Sequence, residues 1–176
     1  MLASAAPAAA QEGTVVLHMG DGTSFPLRAW SLSYEYLAWK QGTPQCRVSP
    51  TRKETSALWV GKKAYPVKDA TLELRFTPAQ RQREKDGEMQ LVTIQVATGL
   101  VLVGHDGKRE EFKLEPPHRD LLIPEADKNT LLAVRSLELS GETLTGTRRE
   151  FCLVSFTSLV ECPSDAPMQV VKAEFQ

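Results

Sequence analysis

The chain lacks most of the short patterns by which catalytic and nucleotide-binding proteins are recognised. It has no G-x-S-x-G elbow, no H-E-x-x-H, no G-x-G-x-x-G and no phosphate-binding loop with its lysine. That removes support for the hydrolases, zinc peptidases and dinucleotide enzymes that depend on such motifs. There is no C-x-x-C pair, so neither a zinc knuckle nor a dithiol redox centre is implied. Charge of one sign is also missing: 21 basic and 22 acidic residues leave a formal net charge of -1. Nucleic-acid binding is therefore disfavoured, because no broad positive field exists to displace counterions from phosphates. No apolar run approaches the ~20 residues needed to cross a membrane as a helix. Helical periodicity is absent too, since no ten-residue stretch repeats apolar residues every three or four positions.

What remains is β periodicity. In Trp30-Ser31-Leu32-Ser33-Tyr34-Glu35-Tyr36 large apolar residues alternate with small or charged ones, the pattern of a strand with one buried face. Before it, Thr14 to Met19 runs into Gly20-Asp21-Gly22, a turn signal, so the chain opens as a hairpin. Ala57 to Val67 reads as a short hairpin with Pro66 at an edge, and Thr71 to Phe76 alternates with Leu72, Leu74 and Phe76 inward. Strands are also expected over Met89 to Val96, Leu100 to Val103, Glu111 to Leu114, Leu131 to Leu139, Thr143 to Thr147, Phe151 to Val160 and Met168 to Ala173. Lys40 to Ser56 reads as a long loop, with Pro44 and Pro50 opposing ladder pairing. Thr77 to Gly87 has a threonine cap, a proline and a closing glycine but no apolar stripe, which predicts one surface turn of helix or a hairpin tip. Ser140-Gly141-Glu142 is expected as a turn. Parity slips near Leu37 and between Leu131 and Leu139 fit either bulges or strand breaks.

At 176 residues with 41% hydrophobic content, the chain is long enough for one self-sufficient core. The fold class expected is all-β, an antiparallel β-sandwich or partly open barrel of many short strands with at most one short surface helix. Residues 14–176 form the single domain. Residues 1–13 are expected as the remnant of a signal peptide or a disordered terminus, because Ala8-Ala9-Ala10 before Gln11 matches an A-x-A cleavage pattern. This points to the periplasm or beyond.

The three cysteines are Cys46, Cys152 and Cys162. In one straight strand Cys152 and Cys162 would stand about 33 Å apart, beyond disulfide reach. A hairpin centred on Thr157 would bring them opposite each other, although Phe156-Thr157-Ser158 lacks the Gly, Asn or Asp of short hairpin loops. A Cys152–Cys162 bridge is the first expectation, a pairing through Cys46 the second, and buried free thiols the third.

Few residues are candidates for chemistry. His18 sits in the first strand near Asp21, too small a set for a metal. His105 precedes the turn residue Asp106. His118, in His118-Arg119-Asp120 after two prolines, is the most site-like histidine but has no partner spaced to join it. Glu35 and Glu73 could meet across strands as an acid pair. Trp30, Tyr34 and Tyr36 are read as core by their strict alternation, whereas Trp39, Trp59 and Tyr65 flank loops and are the ligand-binding candidates. The functional expectation is an exported, non-enzymatic binding or accessory module contacting a protein or glycan, with no cofactor. The alternatives are a structural subunit that self-associates through edge strands, and, less favoured, a hydrolase on a β scaffold.

Overall fold

A computed structural model describes residues 11–40, 50–60, 63–113, 130–155 and 161–176. His118 and Cys46 lie outside them. Side chains are described for all of these except residues 11–12, 35–40, 50–55, 59–60 and 130–135.

Among the described residues eleven strands follow in chain order: β1 (Gln11–Met19), β2 (Ser24–Lys40), β3 (Pro50–Thr55), β4 (Ala57–Val60), β5 (Lys63–Pro66), β6 (Thr71–Lys85), β7 (Glu88–Val103), β8 (Arg109–Lys113), β9 (Thr130–Glu142), β10 (Arg148–Ser155) and β11 (Val170–Phe175). One 3₁₀ turn, Ala166–Met168, interrupts them. The large sheet runs β10-β9-β2-β1-β11-β6-β7-β8, with β3 added beside the second half of β2, and β4-β5 form a separate two-stranded sheet. All pairings are antiparallel. The sheet curls on itself without closing, so that β10 approaches β7 and β11 across the interior. The all-β class is as the alternation implies, and the curl corresponds to a partly open barrel.

One core lies inside the curl. Leu17, Leu27, Leu32, Tyr34, Leu72, Leu100, Leu137 and Leu139 are essentially inaccessible, and Leu58 and Val67, at either end of the β4–β5 hairpin, join them. Each such side chain contributes roughly 1.5–3 kcal/mol on burial, against about 0.2–1 kcal/mol for an exposed ion pair. The core therefore holds this fold, and its surface charges do not. Trp30 and Tyr34 are buried as expected, and the Trp30 ring meets Phe175 edge-on at 4.6 Å; the Tyr36 side chain lies outside the description.

Strand β2 is longer than its clearest stretch. Phe25 and Leu27 face the core on odd positions, and Trp30, Leu32 and Tyr34 on even ones. The change of parity falls at Ala29, whose φ of 48° is left-handed, and the register with β1 and β9 shifts on either side of it. Both slips noted in the sequence prove continuous strand: β2 runs on to Lys40, and β9 takes a bulge where its partner changes from Glu35 to Tyr36.

Three expectations are corrected. The loop from Lys40 to Ser56 contains β3, with Pro50 as its first residue, the position where a missing N–H costs least. The turn between β9 and β10 is Thr143–Thr147, closed by Thr143 N donating to Thr147 O at 2.8 Å, not Ser140-Gly141-Glu142. Of the two expectations for Thr77 to Gly87 the hairpin tip holds, at Asp86-Gly87, and the turn of helix does not: Thr77 to Lys85 is strand, paired residue by residue with β7 down to Lys85 opposite Glu88.

Candidate functional site

The strand at Thr77 to Lys85 lengthens an exposed part of the sheet. β11 pairs with β6 only at Thr71 to Glu73, and β8 pairs with β7 only from Gly99 to Val103. Beyond those points residues 74–85 and 88–98 pair only with each other among the described residues. They form a two-stranded arm ~40 Å long at the rise of an extended chain, turned at Asp86-Gly87, where both residues have positive φ. Glycine at the second position suits such a tight hairpin turn.

The two faces of the arm differ. On one, Ala79, Arg81 and Arg83 stand opposite Ile94, Val92 and Gln90, and most are half-buried. Arg81 Nε donates to Glu161 Oε1 at 2.9 Å, and Arg83 donates to Glu161 Oε2. Glu161 is held by its neighbour Cys162, which is bonded to Cys152 in β10 with Cα atoms 5.2 Å apart. This is the bridge placed first from the sequence; residues 156–160, where a hairpin centred on Thr157 is expected, lie outside the described residues. A second anchor sits nearer the base. Gln95 stands opposite Pro78, and the Gln95 carbonyl accepts from Gln169 Nε2 at 3.1 Å.

The other face carries Gln80, Gln82 and Glu84 opposite Thr93, Leu91 and Met89, all exposed. Met89 is 64% and Leu91 67% accessible, among the few large apolar side chains left in solvent. Neither was singled out in the sequence. The available signal was Met89-Gln90-Leu91 in a strand whose opposite parity, Val92, Ile94 and Val96, already supplied an inward face.

Among the described side chains, the residues singled out from the sequence form no single cluster. Tyr65 packs its ring edge-on against Phe112 at 5.0 Å, with Lys63 Nζ 4.8 Å above it, and is half-buried. Trp39 pairs with Leu131 in the backbone of β2, and Trp59 with Ala64 in β4; their side chains lie outside the description. His18 faces Glu174 at 3.4 Å on the outer surface of β1 and β11, beside the Lys172–Glu174 pair. His105 lies in the exposed turn before β8, where Asp106 Oδ1 accepts from Lys108 N. Glu35 and Glu73 belong to β2 and β6, which β1 and β11 separate in the sheet, and Glu73 faces Arg109 at 3.7 Å. Among the described residues no three of His, Cys, Asp and Glu group as metal ligands.

Comparison with protein-family models, with curated proteins and with solved structures finds no match.

Proposed function

We propose that the protein is an exported binding module that acts by contact with another protein, and that the outer face of the β6–β7 arm is its contact surface. The observation that carries this reading is the exposure of Met89 and Leu91, side by side on a ribbon that no other described strand flanks. Around them Gln80, Gln82 and Thr93 are polar but uncharged, and Glu84 opposite Met89 brings one carboxylate to the tip, so most of the face can be desolvated at less cost than a charged one. A protein partner is favoured over a glycan because Tyr65 is engaged with Phe112 rather than offering a free ring. Export is supported by the Cys152–Cys162 bridge, which persists in oxidising compartments. Among the described residues no helix is long and apolar enough to cross a membrane.

Affinity capture from the native extracellular or periplasmic fraction, run in parallel with the wild type and the double variant Met89→Ser/Leu91→Ser, tests the assignment. A partner retained by the wild type and lost by the variant is expected. Equal retention by both would place the contact elsewhere.

A further inference from the structure

The two edges of the arm are chemically unlike. The β6 edge carries Pro78, Arg81, Arg83 and Lys85, the residues by which sheet edges are protected against pairing. The β7 edge reads Met89-Gln90-Leu91-Val92-Thr93-Ile94-Gln95-Val96-Ala97. It has no charge, no proline and no glycine, and it is rich in β-branched residues. From Glu88 to Thr98 no described strand covers its outer side, where the Gln95 carbonyl is taken by Gln169 Nε2. An unprotected edge of this composition is a template for another strand.

We infer that the β7 edge pairs antiparallel with the same edge of a second copy of this chain, joining two arms into a four-stranded ribbon. This rests on the reading of the arm as the contact surface and names its partner. The argument for a second copy is self-complementarity. A two-fold axis through Val92 sets Val92 against its counterpart, Leu91 against Thr93, Gln90 against Ile94, Met89 against Gln95 and Glu88 against Val96. No like charges are opposed, and Met89, Leu91 and Thr93 gather on one face. The same operation on β6 fails. A two-fold axis at Pro78, Ala79 or Gln80 opposes Arg75 to Arg81, Arg83 or Lys85 respectively. Axes at Arg81, Gln82 or Arg83 oppose the arm's arginines to one another. Like charges directly opposite are destabilising, so β7 is the edge that can meet itself.

Sedimentation equilibrium of the full chain across a wide concentration range tests this. A reversible dimer is expected. The variant Leu91→Lys/Thr93→Lys places cations on exposed positions of the edge and should weaken the dimer at least tenfold, whereas Gln82→Lys, on the same face but on β6, should leave it within about twofold. Circular dichroism confirms that each variant is folded. A chain that stays monomeric at every concentration overturns the inference, as does a dimer indifferent to Leu91→Lys/Thr93→Lys. If the monomeric chain still captures a partner that Met89→Ser/Leu91→Ser loses, the arm remains the contact surface and only the second copy is wrong. If both variants leave capture and association unchanged, the arm itself is excluded.

Discussion

Gly141 in β9 and Leu27 in β2 approach so closely that a Cβ on Gly141 would stand 2.8 Å from the Leu27 Cβ and 3.2 Å from the Arg28 carbonyl oxygen. The contact lies next to the β2 bulge at Ala29, where the register with β9 shifts, and only a residue without a side chain fits. Gly141→Ala should therefore destabilise the fold by about 1–3 kcal/mol, the usual effect of overpacking a close-fitted site. Urea denaturation of Gly141→Ala checks it, and Gly141→Val should cost more still, because the atoms in the way, the Leu27 Cβ and the Arg28 carbonyl oxygen, are not the ends of flexible side chains. Unchanged or raised stability in Gly141→Ala would show that the close approach is not what Gly141 serves.

The bulge makes a second prediction, of opposite sign. Ala29 holds a left-handed φ of 48°, a conformation that costs an L-residue about 1–2 kcal/mol, whereas glycine adopts it freely but loses ~0.5–1 kcal/mol more backbone entropy on folding. Ala29→Gly should come out stabilising, by up to about 1 kcal/mol, and Ala29→Val destabilising. A fall in thermal midpoint for Ala29→Gly would refute this account of the bulge.

These two positions also show which features the sequence discloses. Where one face of a strand meets the core locally, as in Trp30 to Tyr34 and Thr71 to Phe76, apolar residues alternate and the strand is legible. The turn at Asp21-Gly22 is legible for the same local reason. Gly141 was misread as a turn glycine because its cause, the backbone of β2, lies over a hundred residues away in the chain. In Thr77 to Lys85 the hairpin is legible from Asp86-Gly87 but the strand is not, because one face is polar and the other carries arginines, so it has no hydrophobic period of its own; pairing with Val92, Ile94 and Val96 on β7 imposes the strand. The place of β11 between β1 and β6 is equally non-local. The candidate surface carries no aromatic residue to mark it in the sequence, and the exposure of Met89 and Leu91 follows from the arm's projection.

A pH prediction concerns the first turn. Asp21 Oδ1 accepts from the Thr23 hydroxyl at 2.6 Å and from the Thr23 amide at 2.9 Å, and these bonds, the hydroxyl first, hold its carboxyl below the ordinary 3.8. A depressed carboxyl favours the folded turn above the unfolded pKa, and that contribution is lost as pH falls through the lowered folded value. Carboxyl-detected NMR titration should find the Asp21 midpoint below 3.8, and Thr23→Ala should move it upward. A midpoint unmoved by Thr23→Ala would show that the hydroxyl is not the cause.

The tether between arm and body gives the last prediction. Glu161 takes Arg81 on one carboxylate oxygen and Arg83 on the other, 80 and 78 residues away in sequence. All three side chains are about a third or more exposed, so solvent screening limits each pair to about 0.2–1 kcal/mol. Global stability should barely respond to Glu161→Gln. Local opening of the arm should respond, because its two strands have few other anchors, and hydrogen exchange of residues 76–97 should quicken about two- to tenfold. Reducing Cys152–Cys162 should do more, since it releases Glu161 from β10 and removes a short-loop crosslink worth about 2–3 kcal/mol. The order of effects distinguishes a tether from a bystander: in the arm, reduction exceeds Glu161→Gln, while β1 and the first half of β2 are untouched by Glu161→Gln. Exchange in the arm that is indifferent to Glu161→Gln would mean that the Gln169 contact and the β6–β7 ladder alone fix its position.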